Sequence, residues 1–130
     1  MRKLRVAFGM EDEKTLSPEH FGDSKFFLIY DVFENGTYTL VGKRINTARK
    51  IAERVHGDPR KFKAVVELLK NVDILAAFRM GPNFLRIRDQ SDKVPFITGT
   101  RKLDEALEKI VKNFEKLFIE SEKKKMNKTF

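Results

Sequence analysis

Residues 26–45 have the sequence FFLIYDVFENGTYTLVGKRI, in which two strand-like segments flank the dipeptide Asn35-Gly36. The first segment, Phe26 to Phe33, is apolar almost without interruption, which is typical of a strand buried on both faces. Asn-Gly is the strongest short hairpin signal, because both central positions of a type I′ turn need a positive φ. The sequence therefore predicts that the segment from Thr37 to Ile45 pairs antiparallel with the one before it.

Three more strands are predicted from apolar runs elsewhere in the chain. A short run from Leu4 to Phe8 predicts the first strand, and Val72 to Phe78 predicts the fourth. The fifth should extend from Val94 to Thr98. It contains Pro95, which cannot donate a backbone hydrogen bond, and we therefore expect it at an edge of the sheet.

Helical segments are predicted between and after these strands. A basic amphipathic helix should begin near Asn46 or Thr47 and end at His56-Gly57, where glycine favours a helix end. Another should follow Asp58-Pro59, because aspartate and proline favour the first positions of a helix. Gly81-Pro82-Asn83 should open a short helix. The final helix is predicted from apolar residues at helical spacing: Leu103, Leu107, Ile110, Phe114 and Leu117.

This order of elements predicts a three-layer α/β fold with a mixed five-stranded sheet in the order 3-2-1-4-5 and helices on both faces. In such sheets a crevice forms where the crossover connections leave in opposite directions, here at the carboxyl ends of the first and fourth strands. The loop that carries His20 should arch over this crevice. Its predicted lining consists of Gly9, Met10, Arg79, Met80 and Gly81.

Length and composition favour one cytoplasmic globular domain. A chain of 130 residues suffices for one complete core, which we place in residues 1–120, and residues 121–130 should form a basic tail that frays after Ser121. No segment approaches the roughly 18–20 apolar residues of a membrane span, and the N-terminus lacks the apolar run of a signal peptide. A single glutamine amid abundant lysine and glutamate favours a thermophilic source.

The net charge of +8 is concentrated in one part of the chain. Residues 43–63 contain eight basic and two acidic residues, a net charge of +6. Such a cluster is explained either by a solvated helix face or by attraction of an anion or an acidic partner surface. The sequence leaves both explanations open.

Side chains that bind transition metals are scarce. The chain has no cysteine and two histidines, which lie in the glycine-containing turns His20-Phe21-Gly22 and His56-Gly57. Without thiolates it cannot build a four-cysteine zinc site or a self-contained iron–sulfur cluster. A neutral imidazole can still donate one nitrogen to a preassembled cluster that brings its own sulfides. The ordinary alternatives are a hydrogen bond to a backbone carbonyl for His20 and interaction with a helix dipole for His56.

Seven segments, taken in order and spacing, resemble the dinitrogenase iron–molybdenum cofactor biosynthesis family: Leu4-Arg5-Val6-Ala7, Ser17-Pro18-Glu19-His20-Phe21-Gly22, Phe27-Leu28-Ile29-Tyr30-Asp31-Val32, His56-Gly57, Glu67-Leu68-Leu69-Lys70-Asn71-Val72-Asp73, Met80-Gly81-Pro82 and Phe96-Ile97-Thr98-Gly99. The resemblance covers most of residues 3–115. It implies a ribonuclease H-like fold and a link to carriers of the nitrogenase cofactor or of its precursor. The family's His-Phe-Gly histidine, which is implicated in cofactor binding, corresponds to His20.

A set of candidate cofactor contacts follows from the motif and from the predicted crevice. His20 is the candidate metal ligand, and Phe21 and Gly22 accompany it. Met10 and Met80 have soft sulfur atoms that can touch a cluster, although methionine more often fills gaps in a core. Gly81, at a predicted helix start, exposes backbone amides that can hold an anion.

The chain departs from the family at Phe78-Arg79-Met80, where two glycines and a small apolar residue usually precede the Gly-Pro pair. This substitution brings bulk and a positive charge to the crevice. Either the crevice is narrowed, or Arg79 pairs with an anionic ligand.

Three classes of function remain for comparison. We favour a non-catalytic carrier of an anionic iron–sulfur or iron–molybdenum-type cofactor, or of its precursor, that exchanges its cargo with a cofactor-assembly or cofactor-receiving protein. The alternative is a nucleic-acid-binding or protein-interaction module, but the basic segment lacks interleaved aromatic residues, which disfavours nucleic acid. A nuclease is disfavoured because Leu4 to Phe8 supplies no carboxylate and the fourth strand has only Asp73 at its start. No nucleophile–base pair is apparent, and we therefore expect no enzymatic activity.

Overall fold

The computed structural model describes residues 1–50, 59–82 and 84–127, with the side chains of residues 49, 50 and 59 excepted. The strands are β1 (Lys3–Met10), β2 (Phe26–Phe33), β3 (Tyr38–Ile45), β4 (Ile74–Ala77) and β5 (Val94–Ile97). The helices are α1 (Pro59–Leu68), α2 (Phe84–Gln90), α3 (Leu103–Lys112) and α4 (Phe114–Met126). Two short 3-10 helices cover Phe21–Asp23 and Thr47–Lys50. None of the described helices is both long enough and apolar enough to cross a membrane.

The five strands form one mixed sheet in the order β3-β2-β1-β4-β5, which confirms the predicted order. The central strand β1 pairs antiparallel with β2 along its whole length and parallel with β4 from Val6 to Phe8. The strand β3 pairs antiparallel with β2, and β5 pairs parallel with β4. The edge strands of the sheet are therefore β3 on one side and the proline-containing β5 on the other.

Helices cover both faces of the sheet, as predicted for a three-layer α/β fold. Alternate residues of a strand point to opposite faces. Val6 and Phe8 accordingly pack in a core with α3 and α4, whereas Ala7 belongs to a second core with α1 and α2. The specific likeness to ribonuclease H stays an implication of the family resemblance.

The hairpin is present, but its turn differs from the predicted type I′ turn. Gly36 has a φ of +88°, whereas the φ of Asn35 is not positive. The Gly36 N–H donates to the Phe33 carbonyl (3.0 Å), and the Phe33 N–H donates to the Thr37 carbonyl (2.8 Å). This pattern fits a three-residue loop that ends in a left-handed glycine, which needs only one positive φ.

The prediction of one final helix is wrong, because two helices meet at Asn113. The Asn113 N–H donates to the carbonyls of Lys109 and Ile110, both at 3.1 Å, and its side-chain amide also donates to Lys109 (2.8 Å). Its backbone has φ −102° and ψ 12°, outside the helical range. Asparagine side chains compete in this way for backbone acceptors, which explains a break that apolar spacing does not reveal.

The chain does not fray immediately after Ser121, and that expectation is wrong for residues 121–126. Helix α4 continues to Met126, and Ser121 is fully buried. The Lys124 ammonium donates to three carbonyls around the end of α2: Ile87 (2.9 Å), Ser91 (3.4 Å) and Lys93 (2.6 Å). Desolvation lowers the pKa of Lys124, but these acceptors stabilise its charge. Residues 128–130 lie outside the described part of the chain.

Several boundaries also differ from the sequence predictions. Strand β1 continues to Met10, and β4 is shorter than predicted, from Ile74 to Ala77. Helix α1 begins at Pro59 as predicted. The predicted basic helix is represented only by the 3-10 turn Thr47–Lys50, and the rest of it, with His56-Gly57 and Asp58, lies outside the described residues.

We predict that Lys124→Ala lowers the free energy of unfolding by about 1–3 kcal/mol, because it removes charged hydrogen bonds to partly buried carbonyls. Lys123→Ala is the matched control, since Lys123 is the preceding, exposed residue of α4 and its loss should cost less than about 0.5 kcal/mol. Urea unfolding followed by circular dichroism measures both values. Equal effects would mean that the contacts of α4 with α2 do not contribute to stability.

Candidate functional site

The loop that carries His20 leaves and returns at the carboxyl end of β1. The Ser17 N–H donates to the Gly9 carbonyl (3.0 Å), and the Lys25 N–H donates to the Met10 carbonyl (3.1 Å). His20 precedes the 3-10 helix Phe21–Asp23 with an extended backbone, φ −61° and ψ 153°. It forms an isolated parallel bridge with Arg79, which follows β4. The histidine loop therefore closes on the segment after β4, as the predicted crevice requires.

The imidazole of His20 lies directly on the Cα atom of Gly81. A Cβ atom at position 81 would lie only 2.7 Å from His20 Nδ1 and 2.8 Å from His20 Cγ. Distances below 3.0 Å between such atoms do not occur without a shift of one group. Glycine at position 81 is thus required by the position of the ring, and its backbone lies beside the candidate ligand.

Asn46 stabilises the histidine loop through side-chain hydrogen bonds to the residues that follow His20. Its side-chain amide donates to the carbonyls of Gly22 (2.9 Å) and Ser24 (2.8 Å), and its carbonyl oxygen accepts from the Ala48 N–H (3.1 Å). Asn46 is almost completely buried. Sequence reasoning treated it only as a possible helix start, because a long-range contact of a lone asparagine leaves no periodic signal.

A small pocket opens beside His20 and is lined mainly by apolar side chains from the histidine loop, α1 and α2. Its volume is about 50 Å³. Lys61 is buried at the pocket and pairs with Asp23 on the histidine loop. The lining residues are His20, Phe21, Gly22, Asp23, Lys61, Phe62, Val65, Val66, Leu75, Met80, Gly81, Pro82, Phe84 and Ile87.

Most of the residues predicted to contact a cofactor lie together at the pocket beside His20, but Met10 lies elsewhere. Phe21, Gly22, Met80 and Gly81 line the pocket with His20. Phe21 is buried and stacks on Phe27, with ring centroids 4.9 Å apart.

Met10 is the last residue of β1, and it is fully buried in the core that faces α3 and α4. The crevice residues Phe21 and Met80 pack with the opposite core, on the α1 and α2 side. The structure therefore gives Met10 the gap-filling role that methionine commonly has.

The unusual segment Phe78-Arg79-Met80 divides between the two faces of the sheet. Phe78 packs against the core under α3 and α4, whereas Met80 packs against the other core and lines the pocket. Arg79 is exposed and does not line the pocket. The bulk of Phe78 is thus directed away from the pocket, and the positive charge of Arg79 is available to solvent beside the His20 backbone.

The basic segment 43–63 is less uniform than its sequence indicates. Lys43 donates to Glu13 (2.9 Å) and lies over the Phe26 ring, and Lys61 is buried against Asp23. These two charges are therefore compensated within the protein. The side chains of residues 49–59 lie outside the described part, so both explanations of the basic segment stay open for Arg49, Lys50 and Arg54.

Within the described residues no group of three or more His, Asp or Glu side chains is placed to hold a bare metal ion. His20 is the histidine that the described part contains. The arrangement therefore offers one imidazole ligand on an open rim, which suits a metal group that already has its other ligands.

Comparison with known proteins gives one family. A family model described as dinitrogenase iron-molybdenum cofactor matches residues 2–113. None of the curated proteins gives a match. The matched range contains β1 to β5, the histidine loop and the pocket.

We predict that Gly81→Ala displaces the His20 ring and lowers the free energy of unfolding by about 1–3 kcal/mol, the usual cost of overpacking. Gly42→Ala is the control, because a Cβ atom at position 42 would meet nothing within 4 Å. Urea unfolding measures the change in the free energy of unfolding, and the nitrogen-15 NMR spectrum of the imidazole reports the displacement of the His20 ring. An unchanged His20 spectrum in Gly81→Ala would contradict the packing of the ring on this glycine.

Proposed function

Because the chain belongs to the dinitrogenase iron-molybdenum cofactor family, we propose that it is a non-catalytic carrier of an anionic iron–sulfur or iron–molybdenum-type cofactor, or of a precursor. His20 is the metal ligand in this proposal. The cluster is cargo, received from a cofactor-assembly protein and passed to a cofactor-receiving protein. The observation that carries the proposal is the placement of the His20 imidazole against Gly81, at the rim where the loops after β1 and β4 meet.

The chemistry of the rim fits a preassembled cluster. A neutral imidazole donates a nitrogen lone pair to iron, and the cluster supplies its own sulfides. The close approach of Gly81 leaves backbone rather than a side chain beside the ring. The Gly81 backbone therefore supports the ring on that side, and in our proposal the cargo approaches the partly exposed imidazole from solvent.

In our proposal the cargo lies outside the pocket, and the small volume of the pocket supports this. For comparison, an engineered apolar cavity of about 150 Å³ holds a benzene molecule. The pocket beside His20 is about 50 Å³ and is mainly apolar. A polynuclear cluster would thus lie over the rim, in contact with His20, while the apolar interior supports the loop from below.

Electrostatics at the rim favour an anion. Arg79 is exposed beside His20, and the nearby carboxylate of Asp23 is paired with Lys61. An exposed guanidinium attracts an anionic cargo at long range and binds carboxylate groups in a two-point geometry. Arg79 therefore supports the cargo in our proposal, whereas His20 ligates it.

We predict that His20→Ala weakens binding of an iron–molybdenum-type cofactor or iron–sulfur precursor at least about tenfold, which corresponds to about 1.4 kcal/mol. The measurement is an anaerobic titration followed by visible absorption and metal analysis of the protein fraction. His56→Ala is the control, because its predicted position at a helix end already has a structural explanation, and its effect should be smaller. Unchanged affinity in folded His20→Ala would remove the ligand assignment.

We predict that Arg79→Ala weakens the same binding less than His20→Ala does, and that it also reduces the dependence of binding on salt. The physical reason is that an exposed charge acts through attraction that salt screens, with a Debye length of about 10 Å at 0.1 M. Arg88→Ala is the control, since Arg88 is exposed on α2 and pairs with Asp89 (3.0 Å). If both variants show the same salt dependence as the unmodified protein, Arg79 does not interact with the cargo.

A further inference from the structure

Carboxylates lie on both sides of His20 in the histidine loop. Glu19 directly precedes His20 and is exposed. Asp23 follows at the end of the short 3-10 helix, and 40% of its side chain is exposed. The nearest lysine of the same loop, Lys25, is already paired with Glu11 (2.5 Å). Taken alone, this part of the loop would repel an anion from the imidazole.

Two cations from other parts of the chain offset these carboxylates. Arg79, which follows β4, is exposed beside the His20 backbone. Lys61, in the first turn of α1, forms an ion pair with Asp23. The two cations match Glu19 and Asp23 in number, so the loss of Lys61 would leave one uncompensated negative charge at the rim.

Lys61 reaches the histidine loop from its buried side. Its side chain is only 9% exposed and lines the pocket beside His20 together with apolar neighbours such as Phe62 and Val65. Its Cε atom lies 3.7 Å from the position that a Cβ atom at Gly22 would have. The ammonium group is therefore covered by the loop, while the carboxylate that it neutralises is partly open to solvent.

Anchoring of the loop does not by itself explain a lysine at this position. A buried ion pair adds little net stability, because removing two charges from water costs about as much as their attraction returns. Asn46 already holds the loop through the carbonyls of Gly22 and Ser24. The bridge between His20 and Arg79 holds it against the segment after β4. What the lysine adds is a positive charge beneath a carboxylate that lies near the candidate ligand.

We infer that Lys61 is a specificity-determining residue of the rim, which admits an anionic metal–sulfur cargo by neutralising the Asp23 carboxylate. This inference rests on the proposed function and adds a second cation to Arg79. An imidazole alone does not select an anionic cluster, because it also binds simple metal cations. With Lys61 in place, Asp23 neither repels the cluster nor attracts a cation, and the charge of the rim makes the selection.

The effect of Lys61 on the local potential can be measured without any cargo. NMR relaxation of the loop amides by a cationic nitroxide, compared with that by an anionic one, reports the sign of the charge near each amide. We predict a more negative potential around residues 19–22 in Lys61→Met, and a return to the wild-type value in the double variant that adds Asp23→Asn. Methionine fills the space of the lysine stem and Asp23 stays partly hydrated, so both variants should fold. An unchanged potential in folded Lys61→Met would overturn the inference.

Binding of an anionic cluster tests the consequence for the cargo. The probe is a synthetic iron–sulfur cluster capped by thiolates, titrated anaerobically at low ionic strength and followed by visible absorption. We predict that Lys61→Met weakens binding about fivefold and that the double variant with Asp23→Asn recovers most of the affinity. If the pair only anchored the loop, there would be no recovery, because the pair is absent from both variants. That result would overturn the inference.

Lys63→Met is the matched control, because Lys63 is an exposed lysine of the same helix and does not line the pocket. It removes the same net charge, and an effect equal to that of Lys61→Met would also overturn the inference. The proposed function fails in a different way. A folded wild type that binds no cluster, or that binds it as well after His20→Ala, would contradict the carrier function, while the nitroxide measurement would still decide whether Lys61 neutralises the rim.

Discussion

The structure depends on the burial of β1 on both faces and its pairing on both sides. Val6, Ala7 and Phe8 have no exposed surface. Val6 and Phe8 pack in the core under α3 and α4, whereas Ala7 packs in the core under α1 and α2. The two neighbours of β1 run in opposite directions, since β2 is antiparallel and β4 is parallel. The carboxyl ends of β1 and β4 are consequently adjacent, and the loops that follow them must meet. The candidate site lies at that meeting point because of the sheet topology, whatever ligand it binds.

The meeting of these loops is possible because two positions lack a side chain. A Cβ atom at Gly81 would collide with the His20 ring, and one at Gly9 would lie 2.2 Å from Ser24 Oγ. The first glycine lets the histidine loop contact the segment after β4, and the second lets the same loop return over the end of β1. Asn46 then fixes the loop through the carbonyls of Gly22 and Ser24. The position of the imidazole is therefore determined by backbone packing from three separate parts of the chain.

The sequence predicted what is encoded locally or repeated along the chain. The apolar run of β2, the glycine of the hairpin and Pro95 each act over a few residues, and together with the order of elements they were sufficient for the strand order and the layers. The meeting of His20 with Gly81 followed from that topology and from the family motif. The burial of Lys61 against Asp23 and the capping of α2 by Lys124 depend on partners distant in sequence. The break at Asn113 is local, but the spacing of the apolar residues does not reveal it. Met10 was misplaced because β1 is longer than its apolar run, so its side chain continues the alternation into the core.

A single imidazole at an open rim is also consistent with the kinetics that a carrier needs. A group held by several protein ligands in a closed pocket dissociates slowly, whereas transfer to another protein requires that most of the cargo surface stay accessible. Among the described residues no group of three or more metal-binding side chains comes together, and the pocket beneath His20 is too small to enclose a cluster. Arg79 adds attraction that acts at a distance without forming a coordinate bond. Under the proposed function, this arrangement separates the capture of the cargo, which long-range charge accelerates, from its retention, which one exchangeable bond determines.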